Sequence, residues 1–218
     1  AFWYTAGFAL VSLLIINILA FTVAYLLTKG IKGSNIFRTV FFMPNLIGGI
    51  VLGYIWSMIF DGILSRYNTS ILLNSTYGFW GLIILMAWQQ IGYMMIIYIA
   101  GLQAVPGDML EAAKIDGASE WKTLWDIIIP NVMPSITICT FLTLTNSFKL
   151  YDQNLALTNG RPYNGAIHTT EMLALNIVNS NTLKTKGVGQ AKAVMFFVLV
   201  AIIGIFQMKS THDKEVQQ

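Results

Sequence analysis

The chain has 218 residues, 56% of them hydrophobic by type and only 11% charged. A soluble domain carries about 25% charged residues, so this composition excludes an ordinary soluble fold and points to the membrane class. The formal net charge is +3, with Lys and Arg scattered along the chain, which leaves no basic cluster for nucleic acid. Cys139 is the only cysteine, so no internal disulfide and no multi-cysteine metal site is expected.

A helix needs about 20 mostly apolar residues to cross a hydrocarbon core of about 30 Å. Five stretches meet that length: 6–28, 39–60, 79–102, 133–148 (extended to about 151) and 190–208. The expected fold is therefore all-α, a polytopic bundle of transmembrane helices forming one domain over residues 1–218. Pro44 is expected to cap or kink the second span near its start. Gly49 and Gly53 form a GxxxG pattern in that span, which lets a neighbouring helix approach closely.

Charge orients the spans. Lys29, Lys32 and Arg38 lie between the first two, Lys114 and Lys122 between the third and fourth, and Lys209 and Lys214 after the last. These segments are assigned to the cytoplasm, which puts the C-terminus inside. The Asn-, Ser-, Thr- and Gly-rich linkers 61–78 and 152–189 fall outside, together with residue 1. An outside start without an initiating Met is read as an upstream crossing absent from this sequence, giving six spans in the natural protein.

Spans three and four carry polar groups. Gln89, Gln90 and Tyr93 share one helix face, and Thr140, Thr143 and Ser147 share another with Leu144 beside them. Amides and hydroxyls facing lipid would go unsatisfied, so they face protein or a wet cavity. Two readings follow: hydrogen bonds between helices, or a lining for a neutral, hydroxyl-rich solute. The scarcity of charge in mid-span argues against an ion or proton route. No phosphate-cradling G-x-x-x-x-G-K-[ST], H-E-x-x-H, C-x-x-C or G-x-S-x-G occurs, and no catalytic or metal-ligating residue is assigned. A membrane enzyme or a scaffold without cargo is the weaker class of reading.

Residues 108–130 form a charged elbow between two apolar spans. The Asp108–Glu111 spacing is that of a capping box and predicts a helix from Met109. Gly117 can end it in the left-handed conformation. Ser119 can cap a second helix over 120–129, which stops at Pro130. Ala112 and Ala113 keep one face of the first arm low, so that a partner's backbone could approach there. Three acids and one base between Asp108 and Asp116 would be repelled by anionic lipid, which favours a protein partner.

The stretch "EAAKIDGASEWKTLWDIIIP" resembles the EAA signature of bacterial ATP-binding-cassette importer permeases. "FRTVFFMPNLIGGIVLGYIW", "GLQAVPGDMLEAA" and "SFKLYDQNLALTNGRP" are similar to further segments of the carbohydrate-uptake branch, in its first maltose-type subunit. Arg161 stands where that branch commonly has glycine. The resemblance implies a bacterial cytoplasmic-membrane permease whose elbow is a coupling helix seated in a separate ATPase. Glu111, Ala112, Asp116 and Gly117 match the motif and would carry the docking, with Ala113 on the same arm. ATP and Mg would be bound by that partner, leaving this chain without a cofactor. It further implies a second, homologous permease, two ATPase subunits and an extracellular solute-binding protein. The substrate path would run along Gln89, Gln90, Tyr93, Thr140, Thr143, Leu144 and Ser147, for a sugar. Glycerol-phosphate or a polyamine is the alternative cargo; the first would want Arg or Lys in the cavity and the second carboxylates.

Overall fold

The computed structural model describes residues 1–159, 163–164, 167–168, 170–181 and 185–215; Arg161 lies outside them. Its helices follow in chain order: α1 (Phe2–Thr28), α2 (Ser34–Phe42), α3 (Gly49–Leu64), α4 (Ser75–Gln103), α5 (Gly107–Ile115), α6 (Glu120–Thr123), α7 (Ile129–Phe148), α8 (Asp152–Leu157), α9 (Leu173–Asn179) and α10 (Lys186–Glu215). Between α8 and α9 two short strands, β1 (Tyr163–Asn164) and β2 (Ile167–His168), pair antiparallel with Tyr163 opposite His168. Among the described residues four helices are long and apolar enough to cross a membrane: Phe2–Thr28, Ser75–Gln103, Glu120–Phe148 and Lys186–Ile205.

The helix α4 is the hub. It packs chiefly on α1 and then on α7, while α1 and α7 also meet each other. Leu82, Leu85, Met86, Met94, Met95 and Tyr98 of α4 are almost fully buried. They meet Phe8, Ile16 and Ala20 of α1 and Val132 and Cys139 of α7 in one apolar core. The helix α10 lies at the edge against α7 and α9, and Val194, Met195, Phe197 and Ile202 stay exposed, as lipid-facing or partner-facing side chains would.

Two expectations are corrected. The second span, expected as one helix over 39–60, is broken. A 3-10 turn at Met43–Leu46 contains Pro44, Ile47 and Gly48 are extended, and the two halves meet at 100°. Pro44, expected to cap or kink the span, removes a backbone donor at the break; beyond that expectation, the span divides into two helices. The second arm of the elbow, expected to stop at Pro130, does not stop. From Glu120 the chain passes through a π-helical turn at Leu124–Ile128 and continues as α7 to Phe148. The i→i+5 register of that turn, with Ile129 N–H bonded to the Leu124 carbonyl, carries the helix into Pro130 without demanding an i→i+4 donor there. Span four and the second arm of the elbow are thus one 29-residue helix, while the first arm, Gly107–Ile115, stays a separate helix across the Gly117 turn.

The ends sort into two groups. At one end Thr5 of α1 accepts a hydrogen bond from the Leu173 N–H at 2.8 Å, and Tyr4 donates to the Ser75 carbonyl at 3.4 Å. Buried Asn154 of α8 donates to the Thr170 carbonyl and accepts from the Met172 N–H there. At the other end Lys29, just past α1, pairs with Glu120 of the elbow at 2.7 Å. Segments 61–78 and 29–38 therefore lie at opposite ends, as the charge pattern required.

Candidate functional site

The elbow begins at Pro106, whose extended backbone (φ −60°, ψ 129°) is the cap of α5. This corrects the expected capping box. Gly107 is already helical, so Asp108 sits inside the first turn, where its charge faces the positive end of the helix dipole. Gly117 takes φ +74°, the left-handed conformation that glycine adopts without strain. Around it Gly117 N–H donates to the Lys114 carbonyl at 3.2 Å and Ala118 N–H to the Ala113 carbonyl at 2.9 Å, the two bonds of a Schellman stop. Ser119 then caps the next helix, its hydroxyl accepting from the Lys122 N–H at 3.3 Å.

Successive helix positions are about 100° apart, and here that separates the two alanines. Glu111, Ala112, Asp116 and Gly117 are exposed, whereas Ala113 is the buried residue of α5. It turns inward and lines a cavity of about 470 Å³ with Asp116, Gly117, Ala118, Thr123 and Ile127. Ala113 therefore lies on the inner side of the arm, not on the open surface expected for it. Ile115, passed over in the sequence, is 86% exposed beside these charges. An apolar side chain so fully exposed is what a docked partner would cover.

The second constellation sits at the break between α2 and α3. Gln89, the central residue of α4, donates from Nε2 to the Ile47 carbonyl at 3.3 Å. Gln153 of α8 in turn donates to Gln89 Oε1 at 2.9 Å. Non-helical backbone at membrane depth persists only where protein or a wet cavity satisfies it, and Gln89 supplies that partner. The GxxxG face of α3 holds α8 in place. A Cβ on Gly53 would come within 2.7 Å of Ala156 Cβ and 2.9 Å of the Gln153 carbonyl, so only glycine allows this approach. Gln90 accepts from Asn146 Nδ2 of α7 at 3.3 Å. Tyr93, one turn from Gln89, is exposed and extends this polar strip onto an open face of α4.

The hydroxyls of span four divide. Thr143 and Ser147 are fully buried in a seam joining three helices. Tyr98 of α4 donates to Asn17 Oδ1 of α1 at 2.7 Å, and Asn17 Nδ2 donates to Thr143 Oγ1 at 3.3 Å. Ser147 donates to its own helix at the Thr143 carbonyl at 2.7 Å. Thr140 and Leu144 are half-buried. The seven path residues therefore do not meet as one cluster. Gln89 and Gln90 belong to the break and its neighbour, while Thr143 and Ser147 face the α1–α4 seam. Gln153, Asn146 and Asn17 escaped the sequence reading because the partner of each lies on a distant segment.

Residues 16–209 match the family described as "Binding-protein-dependent transport system inner membrane component". A relative from Thermoanaerobacterium thermosulfurigenes, described as a probable starch degradation products transport system permease protein, is 42% identical over 99% of this chain and 77% of its own length. The multiple sugar-binding transport system permease protein of Streptococcus mutans is 30% identical over 99% of this chain and 78% of its own. The crystal structure of a bacterial transporter involved in the import of the acidic polysaccharide alginate superposes with a TM-score of 0.81. It covers 96% of this chain and 77% of that one at 16% identity, a likeness of fold. The EAA-type elbow, the bundle of crossing helices and a match over most of the chain lead to one conclusion: this protein belongs to the family of inner-membrane components of binding-protein-dependent transport systems, a multi-pass permease subunit of an ATP-binding-cassette importer and a transport component rather than an enzyme.

Proposed function

We propose that this permease subunit moves a neutral sugar, an oligosaccharide such as a starch fragment, inward across the cytoplasmic membrane. It works beside a second, homologous permease, two ATPase subunits that bind ATP and Mg, and an extracellular solute-binding protein. The elbow and the C-terminus face the cytoplasm. Glu111, Ala112, Asp116, Gly117 and the exposed Ile115 form the docking surface for the ATPase, and Ala113 packs the arm from within.

One observation carries this reading: the second arm of the elbow has no joint on its membrane side. Glu120 to Phe148 is a single helix, so a displacement that the docked arm passes across the Gly117 turn enters span four without a further joint. That span carries Thr140 and Leu144, and its Asn146 bonds Gln90. Along α4, Gln89, Gln90 and Tyr93 offer amides and a phenol to sugar hydroxyls, and no charged side chain stands among them. Thr143 and Ser147 support the path by holding its wall to α1 and α4. The sugar names of the relatives agree with this chemistry. Rocking of rigid helices around a mid-membrane site then gives alternating access.

The test uses the assembled transporter in proteoliposomes. In Gly117→Pro, proline cannot adopt φ +74° and removes the N–H that closes the stop, so uptake of a labelled maltodextrin should fall to background. Glu111→Lys should do the same by reversing a docking charge. Both variants should insert normally. Wild-type uptake and sugar-stimulated ATP hydrolysis in both would refute the coupling role.

A further inference from the structure

Two cavities adjoin at the foot of α1, on either side of the Lys29–Glu120 pair. The first, about 560 Å³, runs up between α1 and α7 and is lined by Ile18, Phe21, Thr22, Trp121, Leu124 and Trp125. The second, about 510 Å³, lies between α1, the end of α4 and the elbow, and takes Thr28, Lys29, Lys114 and Thr123 among its walls. Both touch Tyr25 and Glu120. Each has the size of an ordinary ligand pocket, yet their chemistry differs. The upper one is almost wholly hydrocarbon, and the lower one carries charge.

The border between them is built like a membrane interface. Trp121 and Trp125 stack edge to face at 5.8 Å, and Lys29 stands over the Tyr25 ring at 4.8 Å. Amphipathic rings favour the headgroup level. A lysine on a flexible stem reaches the same level. The π-helical turn at Leu124–Ile128 adds Leu124 and Trp125 to the wall, and such turns gather at functional sites. The charges count to a definite ligand. Lys29 is neutralised by Glu120, which holds its ammonium above the ordinary lysine range. Lys114 is the remaining charge in the polar cavity, and one phosphodiester matches it. A zwitterionic head would bring an ammonium against a lysine instead. A transmembrane helix, about 10 Å wide with its side chains, could fill the upper cavity but could not turn past the Lys29–Glu120 pair into the lower one.

We propose that these two cavities together hold one anionic glycerophospholipid, an acyl chain lying along α1 beneath Trp121 and Trp125 and the phosphodiester held at Lys114 beside the Lys29–Glu120 pair. The lipid touches α1 and both arms of the elbow at once, so its presence fixes the angle at which the elbow leaves the membrane. Its leaflet, the cytoplasmic one, rests on the orientation proposed above; the site itself does not.

The experiment is native mass spectrometry of the complete transporter, purified in detergent with phosphatidylglycerol or phosphatidylcholine added. The wild type should keep one phosphatidylglycerol per copy of this chain through delipidation and lose phosphatidylcholine. Thr22→Trp fills the upper cavity and should abolish retention. Lys114→Gln should weaken it about fivefold, the weight of one lysine near an anionic surface. Equal retention of both lipids by the wild type would overturn the proposal without any variant. Unchanged phosphatidylglycerol retention in an intact Thr22→Trp complex would overturn it too, as would displacement of the lipid by a helix of the second permease in the assembled complex. Sugar-stimulated ATP hydrolysis in the same preparations reads the transport function separately, and its loss with the lipid still bound would count against coupling and for the lipid site.

Discussion

Two stretches of this protein carry proline at a helix turn, and they end in opposite shapes. At Pro44 the second span breaks, and its halves meet at 100°. At Pro130 the fourth span runs on from the second arm of the elbow to Phe148. The residues around each proline account for the difference. Before Pro130 a π-helical turn shifts the hydrogen-bond register, so the missing donor leaves the helix intact. After Pro44 the chain becomes extended, Gln89 takes up a freed carbonyl, and the glycine face of α3 gains a new partner in α8. Proline alone therefore decides little. A stiff lever results where the register can absorb it, and a joint results where a side chain and a glycine face reward the break.

The comparison can be attacked from the joint. Gly53→Leu should have the larger effect, because its side chain would drive α3 off Ala156 and the Gln153 carbonyl. Overpacking of a tight contact costs about 1 to 3 kcal/mol, and the thermal midpoint of the purified complex should fall accordingly. A variant as stable as wild type would mean that α3 and α8 do not pack as closely as described. Gln89→Leu should act more gently. It removes the partner of the Ile47 carbonyl and of Gln153 but keeps the volume, and hydrogen bonds between membrane helices contribute about 1 kcal/mol each. Hydrogen exchange should then quicken at residues 47–50 and stay unchanged in α7. Equal quickening in both would erase the distinction between joint and lever.

Much of this was legible beforehand, and the exceptions share a cause. The spans at α1 and α4 were found from apolar length alone, because only unbroken helices satisfy their own backbone in lipid. Gly117 and Ser119 were legible since a left-handed stop and a hydroxyl cap are local acts of one residue. What escaped depends on distant partners. Pro44 marked an interruption in the second span, but its size of 100° and its stabilisation by Gln89, 42 positions from Ile47, were not legible. The inward turn of Ala113 depends on where Thr123 and Ile127 sit across the elbow. Spacing left Thr143 and Ser147 open between a bond across helices and a path lining, and only the fold shows Asn17 and Tyr98 drawing Thr143 into a buried seam. Helix faces can be read from spacing; which neighbour meets each face cannot.

The central claim is that the second arm of the elbow and span four move as one body while the second span bends at its break. Distances between paired spin labels in the assembled transporter test it most directly. One pair would sit at Lys122 and Ile138 on the lever, the other at Phe37 and Tyr54 across the break, each measured without nucleotide and with ATP trapped. The account predicts one unchanged distance at the lever and a shifted distribution across the break. A lever pair that moves by several ångströms while the pair across the break stays fixed would contradict it.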